Sequence, residues 1–138
     1  MQTNSRTIND YWTDIYYHLH YPHTEKITHQ VIRILQHVQK QDNVGINEIA
    51  SYLDISQNTA SDHIKRIIKK GLLLKRRDPA DERKVILCLT TEGRDVVYRN
   101  TSLNEEMLDT IFLNLSEEEK KTLLKSFKLL SECAKQCI

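Results

Sequence analysis

Glycine is scarce in this chain, with 3 residues in 138, and proline scarcer still, with 2. So few breakers favour long helices. They also leave little material for loops that wrap a phosphate in backbone N–H groups, and no glycine-rich phosphate motif is present. A nucleophile elbow and a paired-histidine zinc-hydrolase motif are missing too. Enzyme chemistry is therefore not expected, nor is a cofactor. The 3 cysteines (Cys88, Cys133 and Cys137) are an odd number in no framework spacing, and read as reduced thiols of a cytoplasmic protein. No apolar run approaches the about 20 residues that cross a bilayer. The polar residues from Met1 to Asp10 lack the apolar centre of a signal peptide. Neither a membrane partner nor secretion is expected.

Net charge is small as well, +1 overall, but it is unevenly spread. From Gln57 to Lys84 there are nine basic residues (Lys65, Arg66, Lys69, Lys70, Lys75, Arg76, Arg77, Arg83 and Lys84) against four acidic ones (Asp62, Asp78, Asp81 and Glu82). That stretch nets +5, so the remainder nets −4. A basic centre between acidic flanks is the electrostatic footprint of a phosphate-binding face.

Apolar spacing predicts the elements around that centre. Tyr11, Trp12, Ile15, Tyr16 and Leu19 recur as on one helix face within Asn9–Tyr21, and Pro22 stops the pattern. A second helix is expected from a cap at Thr24 to about Gln39, with Ile27, Val31, Ile34, Leu35 and Val38 inward. A short helix is expected over Ile46–Leu53, then a turn at Asp54-Ile55-Ser56. Next comes a basic helix over Gln57–Lys70 with Ala60, Ile64, Ile67 and Ile68 inward. Ser56 is placed to cap it and Gly71 to end it. Two helices across a tight turn, the second basic on its outer face, form a helix-turn-helix pattern.

Leu72–Arg76 and Val85–Leu89 suit β-strands, and the charged segment between them contains Pro79, so the pair reads as a hairpin wing. Thr90-Thr91 caps the next helix, with Glu92 favoured in its first turn by the helix dipole. The rest reads as helix, broken near Asn114. It restarts at the capping box Ser116-Glu117-Glu118-Glu119 and carries an apolar stripe at Leu123, Phe127, Leu130, Ala134 and Cys137.

These residues resemble the MarR family of bacterial transcriptional regulators. The likeness runs through Ile49-Ala50, Leu53, Ser56, Ser61 and the Ile64-to-Gly71 segment with Leu72. It continues through the Asp81-Glu82-Arg83 wing tip and Leu89-Thr90-Thr91-Glu92-Gly93 after the wing. The wing tip with the subsequent Leu-Thr-x-x-Gly is the more specific part. The fold expected is mainly α with a small β-hairpin wing: a winged helix-turn-helix flanked by dimerisation helices. Residues 1–26 and 91–138 are assigned to dimerisation and 27–90 to DNA binding. The resemblance implies a homodimer on a pseudo-palindromic operator, acting as a repressor and released by a small-molecule effector or an oxidant.

A recognition helix offers its N-terminal, outward residues to the major groove. Here those are Gln57, Asn58, Thr59, Ser61, Asp62 and His63. Amide side chains suit adenine, and Asp62 can accept from cytosine N4. The resemblance leads one to expect a basic residue where Asp62 stands, so a phosphate contact is not assigned there. Lys65 and Arg66 are assigned to the DNA backbone, whereas Lys69, Lys70 and Lys75 read as solvated surface. By resemblance, Arg83 enters the minor groove and Asp81 orients it.

The sensing element is left between alternatives. Tyr11, Trp12, Tyr16, Tyr17 and Tyr21 are read first as interface core and second as the lining of an effector cavity. His18 and His20 sit roughly 200° apart on a helix of 3.6 residues per turn, and Pro22 precedes His23, so no metal site is assigned. Cys133 and Cys137, four residues apart, are read as small apolar residues on a buried face, with metal or oxidant sensing as the other reading. The family's peroxide sensors carry a reactive cysteine in the first helix, and none stands there. Outside the regulator class, the rival is a winged helix that binds only protein.

Overall fold

The structure is a computed structural model that describes residues 2–23 and 25–137. Along the chain lie α1 (Asn4–Leu19), α2 (His29–Lys40), α3 (Ile46–Leu53), α4 (Gln57–Lys69), β1 (Leu73–Arg77), β2 (Val85–Leu89), α5 (Thr91–Thr101), α6 (Glu105–Leu113) and α7 (Glu117–Gln136). The chain divides into two compact units. Tyr21–Ser102 form one, and the residues up to His20 together with those from Leu103 on form the other.

Tyr21–Ser102 is the winged helix. Its core joins Ile34 and Leu35 of α2, Ile49 of α3, Ala60, Ile64 and Ile67 of α4, Leu73 of β1, Leu87 and Leu89 of β2, and Val96 and Val97 of α5. Side chains three and four apart fall on one helical face, and that face of α4 is the one buried. Asp54 takes the left-handed conformation (φ 54°, ψ 51°) that turns the chain between α3 and α4. The Ser56 hydroxyl then accepts from the Thr59 N–H at 3.1 Å and so caps α4. Gly71, at φ +80°, ends the helix, as expected of a residue without a Cβ.

β1 and β2 pair antiparallel from Leu73↔Leu89 to Arg77↔Val85. The Leu87 N–H on the other side of β2 donates to the Val44 carbonyl at 2.8 Å, tying the wing to the segment before α3. Thr90 caps α5 through the Gly93 N–H at 2.9 Å, and its hydroxyl donates to the Gly71 carbonyl at 2.6 Å. Gly93 is needed because the helix start lies flat on this junction. A Cβ there would stand 2.1 Å from the Leu72 carbonyl oxygen.

One sequence expectation changes here. Thr24, the expected cap of the second helix, lies outside the described residues; α2 begins at His29, and the Thr28 hydroxyl accepts from the Val31 N–H. Glu25 is instead held against α5, where Arg99 and Asn100 both donate to its carboxylate. The two compact units divide after His20 and after Ser102. α5 goes with the winged helix because Val96 and Val97 are buried in its core.

The second unit is helical. α1 is capped by Thr3, α6 by Asn104 and α7 by Ser116, whose capping box with Glu119 is formed as the sequence implied. The break before α6 was not expected: an isolated bridge pairs His20 with Leu103, and the Asn104 N–H donates to the Leu19 carbonyl. None of the described residues of α1, α6 or α7 is buried.

Gly93→Ala is expected to cost about 1–3 kcal/mol, the range for overpacking. It should lie at the upper end because the clash is with backbone. Gly71→Ala meets open space and should cost only the left-handed penalty of about 1–2 kcal/mol. Urea unfolding of both variants checks the order; a Gly93→Ala protein as stable as the parent would mean that α5 does not sit on the Leu72 carbonyl.

His37 stacks on Tyr52, ring centroids 4.0 Å apart, with the Arg33 guanidinium 5.2 Å from the same ring. Burial lowers the His37 pKa below its usual 6.5, partly opposed by the Glu48 carboxylate. The folded state thus binds this proton less readily than the unfolded chain. The contribution is complete above pH 6.5 and is lost as pH falls below it. Unfolding at pH 7.5 and 5.5 should show a smaller acid-side loss in His37→Gln; an identical loss would remove His37 as its source.

Candidate nucleic-acid interface

Because Ala60, Ile64 and Ile67 turn inward, the opposite face of α4 turns out. Gln57, Asn58, Thr59, Asp62, Lys65 and Arg66 are exposed, and Ser61 and His63 are half-buried. The eight α4 residues singled out from the sequence therefore sit on one accessible helix, six of them fully presented. Lys69, Lys70 and Lys75 are also exposed.

The first turn of α4 is held before anything binds. Gln57 Nε2 donates to Asn47 Oδ1 of α3. The Ser56 hydroxyl donates to Thr59 Oγ1 at 2.8 Å. On the wing, Asp81 Oδ1 accepts from the Arg83 backbone N–H at 3.1 Å and from Arg83 Nε at 3.2 Å. The Arg83 side chain is 92% exposed all the same. A guanidinium fixed at one edge and open at the other loses less freedom on meeting a phosphate-lined groove. The turn under it is closed by Asp78, whose N–H donates to the Lys84 carbonyl and whose side chain accepts from the Ala80 N–H. Arg77 braces the same turn through the Glu82 carbonyl.

Recognition helix and wing meet at a cleft of about 450 Å³, lined by Asn47, Glu48, Gln57, Asp78, Arg83 and Lys84 among others. Gln57 and Arg83, 26 residues apart in sequence, share it. The Glu48 carboxylate is engaged there by the Gly45 N–H at 3.0 Å. Sequence reasoning missed Asn47: nothing in its neighbours marks it, and only the turn at Asp54 brings it to Gln57.

In the helical unit, Tyr11 and Trp12 line an apolar groove of about 480 Å³ with Ile8, Ile15, Phe127, Leu130 and Cys133. Tyr16 and Tyr17 do not line it: Tyr16 stacks on His20 and Tyr17 meets His18 edge-on. Tyr21 belongs to the winged helix, where its ring packs on Tyr98. Cys133 and Cys137 are exposed, which corrects the buried face expected for them; the apolar stripe they extend is uncovered in the single chain. Cys88 is half-buried on β2. Among the described residues no three His, Cys, Asp or Glu side chains gather as a metal site, and no helix is long and apolar enough to cross a membrane.

A helix-turn-helix with an exposed basic second helix and a two-stranded wing carrying an oriented arginine defines a MarR-type winged-helix transcriptional regulator. The chain belongs to the transcriptional regulator SarA/Rot family, which matches residues 22–100. It is 28% identical over 111 residues to the HTH-type transcriptional regulator BilQ of Clostridium symbiosum, a match covering 80% of this chain and 75% of BilQ. It is 24% identical over 95 residues to the HTH-type transcriptional regulator YdgJ of Bacillus subtilis. That match takes in 69% of this chain but only 56% of YdgJ, so the chain spans little more than half of that relative. Its fold superposes on S. aureus MepR bound to ethidium bromide with a TM-score of 0.59 and 28% identity, covering 96% of this chain and 97% of MepR. A variant of MepR has been solved on an oligodeoxyribonucleotide (TM-score 0.52, 26% identity, 96% of this chain and 99% of that one).

Proposed function

We propose that this chain is a sequence-specific DNA-binding repressor that sits on a pseudo-palindromic operator as a homodimer and is released by a small ligand. The observation that carries the reading is Arg83: highly exposed, yet held at backbone and side chain by Asp81 on the wing tip. A charge so oriented suits the narrow, negative minor groove of A/T-rich DNA. Gln57, Asn58, Thr59, Ser61, Asp62 and His63 then face base edges, and Lys65 and Arg66 face phosphates. That a MepR variant is solved on an oligodeoxyribonucleotide supports the same use of this fold.

Dimerisation is the natural fate of the helical unit. Trp12, Ile8, Phe127, Leu129 and Leu130 are exposed large apolar side chains on α1 and α7, and a contiguous apolar surface marks an interaction site. An operator with two half-sites requires the two recognition helices of such a dimer to enter major grooves about one DNA turn, roughly 34 Å, apart. MepR is solved with ethidium, a flat aromatic cation, and the aromatic faces of Tyr11 and Trp12, which line the apolar groove, suit ligands of that kind. Such a ligand releases DNA only by favouring one helix spacing over the other.

Arg83→Ala is expected to weaken binding to a selected operator tenfold or more, on the order of 1–3 kcal/mol. For the parent protein, log Kd should rise linearly with log salt as counterions are released. Unchanged affinity would remove Arg83 from the interface, and salt-independent binding would favour a protein partner over DNA. Separately, Leu130→Lys should halve the sedimenting mass and lower operator affinity; an unchanged mass would rule out the α7 face as the dimer contact.

A further inference from the structure

We infer that Asn47 is a positioning residue for Gln57, and that the two amides form one base-reading unit in the major groove. This rests on the DNA-binding reading above and deepens it. Asn47 is the second residue of α3 and Gln57 the first of α4, and the left-handed turn at Asp54 folds one helix back so that their side chains meet. Both residues are exposed, so the contact is not a by-product of core packing. An exposed glutamine otherwise samples three side-chain torsions and must surrender them on binding. Here that ordering takes place before DNA arrives.

The remaining hydrogen-bonding groups suit a reader. With one Nε2 proton given to Asn47 Oδ1, Gln57 keeps its second Nε2 proton and Oε1. One donor and one acceptor side by side match the N7 and N6 edge of adenine. Asn47 keeps both Nδ2 protons, which suit a phosphate oxygen. The neighbouring Glu48 does not compete for either amide through Oε2, which is engaged by the Gly45 N–H. Thr59, tied to Ser56, stiffens the same turn.

The test begins by selecting bound sequences from random duplex DNA with the full chain. Affinities are then measured for the selected operator and for each single base-pair change. Gln57→Ala should flatten discrimination at one base pair per half-site by about tenfold. Asn47→Ala should flatten the same base pair by at least about threefold, being part of that contact. Asn47→Asp keeps the acceptor for Gln57 Nε2 while adding a negative charge. It should restore the discrimination and weaken binding to all sequences alike, a separation that a merely structural role would not produce. Thermal melts of the three variants should match the parent. Asn47→Ala with full discrimination, or Gln57→Ala with discrimination intact at every position, would overturn the inference and leave the DNA-binding reading standing. A parent protein that enriches no sequence would overturn both.

Discussion

The buried face of α4 governs what the winged helix can present. Ile64 and Ile67 lose essentially all exposure against Ile34, Leu35, Ile49, Leu73 and Val97. Each such side chain contributes about 1.5–3 kcal/mol when it leaves water, so the rotation of α4 about its axis is strongly held. That rotation decides everything on the other face. Gln57, Asp62, Lys65 and Arg66 are outward because the isoleucines are inward. The hairpin is seated by the same core through Leu73, Leu87 and Leu89. Helix and wing are therefore two edges of one packed body, and the Leu87–Val44 hydrogen bond adds a third strand-like tie.

The helical unit is built on another principle. Its helices are well capped: Thr3, Asn104 and Ser116 each satisfy an N–H of the first turn. Yet α1, α6 and α7 bury none of their described residues. Local capping gives helices but no core, and in proteins most helical stability comes from packing an amphipathic face rather than from propensity. The stability of these helices must come from covering their apolar side chains, which is why a second copy of the chain is central to the function proposed.

Much of this was legible in the residues because it is local. Ser56, Thr90 and Ser116 mark helix starts by their own hydroxyls, and Gly71 marks a stop by its missing Cβ. The period of Ile64 and Ile67 gives the inward face, and the Asp81–Arg83 pairing was implied by the family resemblance of the wing tip. The parts that were not legible depend on partners distant in sequence. Residues 25–28 leave the helical pattern because Glu25 is claimed by Arg99 and Asn100, some 75 positions away. The division of α5 from α6 rests on the junction of Leu19 and His20 with Leu103 and Asn104, although Asn104 before Glu105-Glu106 was a capping signal open to notice. Cys133 and Cys137 extend an apolar stripe that reads as buried; periodicity gives a face but not what covers it. Asn47 acquired meaning only when the turn at Asp54 set it beside Gln57.

The wing has one more property. β2 is occupied on both sides, by β1 and at Leu87 by Val44. Among the described residues β1 has a sheet partner on one side only, and an unpaired strand edge is a template on which other chains can add. Four of its five residues are exposed, and three of those are Lys75, Arg76 and Arg77. An identical strand approaching that edge would bring its own three cations alongside. The same positive charge thus sets an electrostatic cost on edge-to-edge pairing of the hairpins when many copies crowd together.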